Sequence, residues 1–266
     1  MGQGKKAGKK LPAPPQSVVA RVVVVAFALR RGGLSVLLAG SDSSPSRTEP
    51  GLPDALLGDD ESLEEAAARV LREAASLLQV PRHLEQLRVY DAPDHRSCGG
   101  QRVITIAFLG VCPEKPEQPA EDPDPFEGWQ PLASVAGADA TLPPVDAAVV
   151  GDALERLSLD LEHTAVATAF FGDAFTEAQL RSVYEAVWGA GAKAGPLRLD
   201  APNFHRAITT LSPAIMEPIP DKRAVTGGRP AALYGPSENV RTSGHALRLD
   251  RPISRPKDVG VTRRLH

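Results

Sequence analysis

The amino-acid sequence predicts a mixed α and β protein with a sheet-containing first half and a smaller, mostly helical second half. Two observations lead to this prediction. Apolar runs and helical repeats occur in the order β-β-α-β-β-α, followed by two helices and a β-hairpin. The charge is also uneven, because residues 17–162 hold 12 Lys and Arg against 24 Asp and Glu, whereas residues 163–266 hold 14 against nine. This asymmetry favours two domains with different partners, although a basic C-terminal tail added to chance variation would also produce it.

The composition is that of an ordinary soluble protein. Apolar residues make up 42% and charged residues 24% of the 266 residues, a length sufficient for one large domain or two of common size. The two cysteines, Cys98 and Cys112, are too few for a disulfide framework and lack metal-ligand spacing. We therefore expect a reducing, cytoplasmic location. No cofactor is expected.

The N-terminus contains a basic segment followed by an apolar run. Residues 1–16 hold four lysines and no acid, and Val18–Leu29 is almost entirely apolar. Signal peptides have the same order, but Arg21 interrupts this run and no cleavage site is clear. The run is also too short to cross a membrane. We predict a disordered basic tail, then a buried strand, and no membrane partner.

The rest of the first half contains the pattern of a sheet with helices. The Gly-rich turn between the run from Val18 and Leu34–Ala39 predicts a hairpin. Ser62-Leu-Glu-Glu65 predicts a capping box, in which a Ser hydroxyl and a Glu carboxylate satisfy free N–H groups at a helix start. That helix has an apolar stripe and ends before Pro81. Later elements are predicted as strands at Leu84–Tyr90 and Arg102–Val111 and a helix at Val145–Leu161.

The second half contains two capped helices and a hairpin. Thr176-Glu-Ala-Gln179 predicts a second capping box, opening a helix over residues 176–188. Asp200 is placed to cap another helix at Ala201–Leu211. Two short strands, Ile215–Ile219 and Ala231–Tyr234, complete the predicted pattern. No periodic pattern follows Gly235, so a loose tail is expected there. Trp129 and Trp188 are predicted as core anchors.

The segment around the first helix resembles a known motif. The Nudix box is a Gly, five residues, a Glu, seven residues, and then Arg-Glu-aliphatic-x-Glu-Glu-x-Gly-aliphatic. The positions that match are Glu61, Arg69, Leu71, Glu73 and Leu77, and those that depart are Ala55, Val70, Ala74 and Ser76. With the flanking strands, residues 18–162 resemble the Nudix fold. The resemblance implies an α/β/α sandwich with a mixed sheet that handles nucleoside diphosphates linked to another group.

The residues that differ from the Nudix box affect whether the domain can hydrolyse a pyrophosphate. Pyrophosphate hydrolysis needs Mg²⁺, which is held by carboxylate oxygens. Of the three helical positions that would meet a metal, only Glu73 is acidic, because Val70 and Ala74 replace the others. We therefore predict a catalytically inactive domain with no catalytic residue and no metal site. Glu73 and Arg69 are then expected to form an internal ion pair. A Nudix-type hydrolase with a non-standard metal site is the alternative.

The C-terminal third resembles a DNA-binding module. The segments Phe175–Val187, Asn203–Arg206 and Gly227–Tyr234, with Gly-Arg-Pro-Ala-Ala-Leu-Tyr the most specific part, are similar to the winged helix of the NrtR family of Nudix-related regulators. The resemblance implies a transcriptional regulator, usually a repressor of NAD metabolism or sugar use, whose Nudix-like domain senses ADP-ribose. The expected partners are double-stranded DNA with a palindromic operator, a second copy of the chain in a homodimer, and a nucleotide effector such as ADP-ribose.

Specific residues follow from these resemblances. A winged helix places its second helix in the major groove and its hairpin near phosphates or the minor groove. The predicted DNA-binding residues are Asn203, His205, Arg206, Thr209, Lys222, Arg223 and Arg229. The predicted ligand-binding residues are Arg69, Glu73, Arg96 and Arg102. The alternative for the two later arginines is a solvated loop, and that for the second helix and hairpin is a structural unit with solvated charges.

The predicted domain organisation combines these elements. It comprises a disordered basic tail (1–16), a Nudix-like sensor domain (17–145), a connecting helix (146–162), a winged-helix DNA-binding domain (163–236) and a C-terminal tail (237–266).

Overall fold

The computed structural model describes residues 18–40, 50–75, 81–91, 100–113, 128–135, 142–190, 196–211, 215–224, 231–243 and 253. Within these ranges there are eight strands and six α-helices. The strands are β1 (Val18–Arg30), β2 (Gly33–Leu37), β3 (Asp54–Leu56), β4 (His83–Tyr90), β5 (Arg102–Val111), β6 (Trp129–Pro131), β7 (Met216–Ala224) and β8 (Ala231–Pro236). The helices are α1 (Leu63–Ala75), α2 (Leu132–Val135), α3 (Pro144–His163), α4 (Glu177–Gly189), α5 (Ala201–Leu211) and α6 (Glu238–Ser243).

Strand β1 is the centre of a mixed six-stranded sheet. It pairs in parallel with β5 over ten residues, and antiparallel with β2 and β3 along its other edge. The order across the sheet is β4-β5-β1-β2-β6, with β3 attached to β1 beside β2. The predicted hairpin and mixed sheet are thereby confirmed. Arg31 and Gly32 form the hairpin turn with φ angles of 50° and 75°, a region that favours glycine.

The two faces of the sheet carry different helices, because successive residues of a strand point to opposite sides. Val22, Val24 and Ala26 pack with α1 on one face. Val23 and Val25 pack with α3 on the other. The predicted α/β/α sandwich is therefore confirmed, and β1 is apolar almost throughout because both of its faces are buried.

Both predicted capping boxes are present. At the start of α1, Ser62 N donates to Glu65 Oε2 at 2.8 Å and Glu65 N donates to Ser62 Oγ at 3.2 Å. At the start of α4, Thr176 N donates to Gln179 Oε1 at 2.8 Å and Gln179 N donates to Thr176 Oγ1 at 3.2 Å. These bonds satisfy amide groups that would otherwise lack partners in the first turn.

Helix α3 connects the sheet to the helical second half. Its inward residues Val149, Ala153, Leu157 and Leu161, predicted to share one face, are all fully buried. The same apolar cluster includes Tyr184 and Trp188 of α4. Trp188 is 1% exposed, and its indole Nε1 donates to the carbonyl of Ser158 in α3 at 3.2 Å. The prediction of Trp188 as a core anchor is confirmed, and one continuous core serves both halves of the described chain.

The second half has the arrangement of a winged helix. Phe204 and Ile208 of α5 are buried against α4, with the Phe204 and Tyr184 rings 5.3 Å apart in an edge-to-face contact. The antiparallel β7–β8 pair forms the wing. Phe175 pairs with the other edge of β8 in a single antiparallel β-bridge. It exchanges two backbone hydrogen bonds of 2.8 Å with Tyr234.

Several features differ from the sequence-based expectation. The short elements β3, β6 and α2 were not predicted, and Trp129 at the sheet edge is only half-buried. The expectation of a loose tail after Gly235 is wrong for two places. Residues Glu238–Ser243 form α6, and Ile253 is 4% exposed, with its amide donating to the carbonyl of Glu162 at 2.9 Å. Among the described residues, no helix is long and apolar enough to cross a membrane.

Candidate nucleic-acid interface and effector site

The loop before α1 is organised around an ion pair between Glu61 and Arg69. Arg69 Nε donates to Glu61 Oε2 at 3.0 Å, and Arg69 Nη2 also reaches Glu61 Oε1 and the carbonyl of Leu56. Gly58 N donates to the same carboxylate at 2.7 Å. These bonds from Arg69 and Gly58 lower the pKa of Glu61 to about 2, so the carboxylate remains charged. The two box residues thus fix the loop between β3 and α1.

Glu73 has a smaller part in this arrangement than predicted. Its carboxylate lies 3.6 Å from Arg69 Nη1 and its side chain is 63% exposed. The principal partner of Arg69 is Glu61, which lies closer and accepts two bonds. The expected internal pair between Glu73 and Arg69 therefore exists only as an outer contact on an exposed helix face.

The replaced box positions of α1 are mostly apolar and covered. Val70 is 2% exposed and packs against the sheet, and Ala74 is half-buried beside it. In the part of the chain that the structure describes, no group of three or more His, Cys, Asp or Glu side chains converges as a metal site. The helix face next to Glu73 thus presents aliphatic side chains where a hard cation would need oxygen ligands.

The three predicted ligand residues that the structure describes, Arg69, Glu73 and Arg102, do not converge on one point. Arg102 Nη2 donates to both oxygens of Asp91, at 2.6 and 2.7 Å. Arg69 bonds to the carbonyl of Leu56 in β3, and β3 and β5 flank β1 on opposite edges, so the two arginines are anchored on opposite sides of the central strand. Arg96 lies outside the described residues. Arg69 and Glu73 are neighbours, whereas Arg102 stands apart and has its own carboxylate partner.

A buried ionic cluster, which was not predicted from the sequence, joins β1 and β3 to α3. Arg21 Nε of β1 donates to Asp54 Oδ2 of β3 at 2.7 Å, and Arg21 Nη2 lies 3.8 Å from Asp146 Oδ1. Asp146 also accepts a 2.9 Å bond from the amide of Leu52. All three charged residues are less than 10% exposed. The signal was visible, because Arg21 is the one charged residue within the run Val18–Leu29.

Helix α5 presents the predicted DNA-contacting residues on one exposed side. Asn203, His205, Arg206 and Thr209 are all exposed, opposite the buried Phe204 and Ile208. Asp200 caps the helix as predicted, since its carboxylate accepts from the amide of Asn203 at 2.9 Å.

All four of these side chains have partners within the second half of the chain. His205 Nδ1 lies 2.7 Å from Glu177 Oε2 at the start of α4. The Thr209 hydroxyl donates to the carbonyl of His205 at 2.8 Å. Asn203 accepts from Arg206 at 3.2 Å. The exposed side of α5 is therefore polar and pre-ordered, and its only full positive charge is Arg206.

The predicted wing contacts are described only in part. Lys222 and Arg223 belong to β7, but their side chains, and the whole of Arg229, lie outside the described part of the chain. The β7–β8 pairing itself brings the wing next to α4 through Phe175 and Tyr234.

Two family models match the sequence. Residues 19–151 match the Nudix domain, and residues 167–235 match the NrtR DNA-binding winged helix domain. No curated protein sequence matches the chain.

Solved structures resemble the fold over most of the chain. Shewanella oneidensis NrtR, complexed with a 27mer DNA, is 22% identical over 88% of this chain and 99% of that chain, with a TM-score of 0.67. A MutT/nudix family protein from Enterococcus faecalis is 21% identical over 84% and 89%, with a TM-score of 0.59. The Nudix domain of S. oneidensis NrtR complexed with ADP ribose is 25% identical over 55% and 92%, with a TM-score of 0.43.

Proposed function

Because this chain belongs to the NrtR family, with a Nudix domain followed by the NrtR DNA-binding winged helix, we propose that it is a homodimeric transcriptional repressor of a palindromic operator. The observation that carries the proposal is the exposed polar side of α5, with Asn203, Arg206 and Thr209 facing away from a core closed by Phe204 and Ile208. A helix with one polar, exposed side and one buried, apolar side can enter the major groove of DNA. A two-fold dimer presents two such helices to two symmetric half-sites.

The contacts proposed for DNA follow from chemistry and position. Asn203 and Arg206 offer amide and guanidinium groups for base edges or phosphates, and Thr209 offers a hydroxyl. His205, with the wing residues Lys222, Arg223 and Arg229, would contact the sugar-phosphate backbone. Such contacts release counterions, so binding weakens as salt rises.

The Nudix domain is proposed to act as the sensor. Its effector would be a nucleotide such as ADP-ribose, which would connect the regulator to NAD or sugar metabolism. The proposed ligand residues are Arg69, Glu73, Arg96 and Arg102. Arg69 and Arg102 are paired with Glu61 and Asp91, so a diphosphate must compete with those carboxylates for their guanidinium groups. The effector would act by binding one of two dimer arrangements more tightly than the other.

DNA binding is tested with the purified full-length chain and fluorescently labelled DNA from upstream of its own operon. Fluorescence anisotropy should show binding that weakens with salt, and the Arg206→Ala variant should bind more weakly than the unmodified chain. Gel filtration at micromolar concentration should show a dimer. A monomer, or binding that does not depend on salt, would contradict this assignment.

The sensor role is tested by thermal shift with a panel of nucleotides. A ligand present at a hundred times its Kd adds about 2.7 kcal/mol to the free energy of unfolding, which is readily seen as a higher Tm. The active nucleotide should also change the anisotropy titration. A panel in which no nucleotide changes either the Tm or the DNA affinity would eliminate the sensor role while leaving DNA binding intact.

A hydrolase with a non-standard metal site is the second candidate. It is favoured by one observation, the 63% exposure of the Glu73 side chain, which leaves a carboxylate accessible to a cation. We expect no turnover, because Val70 and Ala74 provide no further oxygen ligands. Incubation with ADP-ribose and Mg²⁺ or Mn²⁺, followed by chromatography for AMP, decides the matter. Turnover that disappears in Glu73→Gln would establish the hydrolase.

A further inference from the structure

A carboxylate of α4 holds the segment that leads into α5. Glu185 Oε1 accepts from the amide of Leu199 at 2.9 Å, and Glu185 Oε2 accepts from Arg198 Nη1 at 3.2 Å. Arg181, one turn earlier on α4, places its Nε 3.4 Å from Glu185 Oε1. One acidic side chain thus accepts hydrogen bonds from a backbone amide and the Arg198 guanidinium, with the Arg181 guanidinium within ion-pair distance.

The members of this cluster differ sharply in exposure. The Glu185 side chain is 10% exposed, whereas the Arg198 side chain is 81% exposed. The Glu185 carboxylate is therefore largely buried, and the Arg198 guanidinium faces solvent. Because two arginines share one carboxylate, the cluster keeps a net positive charge.

Arg198 lies close to the N-terminal end of α5, where a positive charge can contact DNA. Arg198 lies two residues before Asp200, the cap of α5, and Asn203 and Arg206 follow within the first two turns of the helix. In helix-turn-helix proteins the N-terminal part of this helix faces the DNA. With α5 docked in this way, an exposed guanidinium beside that end would lie near the phosphates that flank the major groove.

We propose that Arg198 contacts a DNA phosphate and that Glu185 is the positioning residue that holds it in place. This inference rests on the proposed DNA-binding function and adds two residues to it. Glu185 also fixes the last residues of the connection between α4 and α5 to α4 before α5 begins. A flexible approach to α5 would otherwise lose conformational entropy on binding.

The phosphate contact is tested by anisotropy titrations of the full-length chain at several salt concentrations. Loss of one phosphate contact lowers the slope of log K against log salt by about 0.9. We expect this change in Arg198→Ala, together with weaker binding to all DNA sequences. Arg72→Ala, which removes an exposed arginine of α1, is the matched control and should change neither quantity. An Arg198→Ala slope equal to that of the unmodified chain would overturn the proposal.

The positioning role is tested by Glu185→Gln, alone and combined with Arg198→Ala. If Glu185 acted only as a negative charge near DNA, its neutralisation would tighten binding. A positioning role predicts weaker binding, because Arg198 loses its charged partner. In the Arg198→Ala background, Glu185→Gln should cause little further loss, which a double-mutant cycle measures. Tighter binding by Glu185→Gln, or equal losses in both backgrounds, would contradict the positioning role.

These outcomes are distinct from failure of the proposed function. If the unmodified chain shows no salt-dependent DNA binding, the function itself is wrong. If it binds and Arg206→Ala weakens it while Arg198→Ala does not, only the further inference fails. Circular dichroism of each variant confirms that α4 and α5 remain folded before the titrations are compared.

Discussion

Arg21 is the one charged residue in the apolar run Val18–Leu29 of β1, and its buried partners explain how it is accommodated there. Burial of a guanidinium is costly unless carboxylates pair with it, and Asp54 and Asp146 are both within 4 Å. The cluster joins β1, β3 and the first turn of α3. It therefore connects the strands that precede the β3–α1 loop to the helix that leads towards the winged helix.

Replacement of Arg21 by Met should destabilise the fold strongly. It would leave Asp54 and Asp146 buried without their cation, and removal of one partner from a buried ionic group costs about 3–5 kcal/mol. Urea denaturation measures the loss. Arg72→Met on the exposed side of α1 should change the free energy of unfolding by less than about 0.5 kcal/mol. Equal midpoints for the two variants would show that the cluster contributes nothing specific.

The Glu61 carboxylate gives a prediction about pH. Its pKa in the folded chain is lowered to about 2, from an ordinary value of 4.5, chiefly by the bond from Arg69. A lowered pKa means that the ion pair stabilises the fold above about pH 4.5 and that this contribution is lost as the pH falls towards 2. The stability difference between the unmodified chain and Glu61→Gln should therefore shrink over that range.

The residue-specific measurement for Glu61 is a carbon NMR titration of its carboxyl group. In Arg69→Met, where the largest cause of the shift is absent, the midpoint should move up towards 4.5. An unchanged midpoint in that variant would show that Arg69 does not hold the carboxylate in its charged form.

At the residue scale, the sequence identified candidate residues but did not predict which side chains are in contact. Motif matching identified Glu61, Arg69 and Glu73, but the pairing of Arg69 mainly with Glu61 depends on how the loop folds back on α1. Likewise, Arg102 was a candidate from its charge, and only the structure shows that Asp91 is its partner. Side-chain partners are set by tertiary geometry, which spacing along the chain does not encode.

Secondary-structure elements with strong local signals were predicted closely. The bounds of β5 and α5 agree with the prediction, because a long apolar run and a capped amphipathic helix each determine their own conformation. The short elements β3, β6 and α2 contain three or four residues, too few to show a period. The two strands exist because neighbouring strands pair with them, as β1 does with β3 and β2 with β6. The helix α2 follows β6 directly and buries Leu132 and Val135.

The capping box of α4 allows a test at the scale of one element. Thr176→Ala removes the hydroxyl that accepts from Gln179 N, and loss of such a cap costs about 1 kcal/mol. Thr209→Ala is the matched control, because its hydroxyl bonds only to carbonyls of its own helix. Alanine is the better helix former, so this control should be neutral or slightly stabilising. Thermal denaturation that ranked the two variants in the opposite order would contradict the capping role.

For the molecule as a whole, the important feature is that the Nudix and winged-helix regions share a core. Residues of β1, α3 and α4 belong to one apolar cluster, and Arg82 of the β4 end also pairs with Asp173 before α4 at 2.8 Å. The charge asymmetry of the sequence predicted two regions with different partners. It did not predict that they would fold against each other. The apolar pattern of α3 in the sequence shows that one face is buried, but it does not show which element packs against that face.

The shared core predicts a single unfolding transition. Trp188→Ala should cost about 3–5 kcal/mol, through the lost contacts and the cavity left behind. Calorimetry should show one peak that moves to a lower temperature as a unit. Leu159→Ala, which changes a 50% exposed side chain on α3, should leave the peak almost unmoved. Two separate peaks in the unmodified chain would show that the regions unfold independently.

The packing of Trp188 against Ser158 also restricts how such a chain can be recombined. A designer who wished to give this winged helix a new sensor would cut between α3 and α4, close to residue 167, where the winged-helix match begins. That cut passes through packed side chains rather than a linker. A working chimaera must carry the inward-facing residues of α3 and α4 together, so the natural unit of exchange is the interface and not the domain.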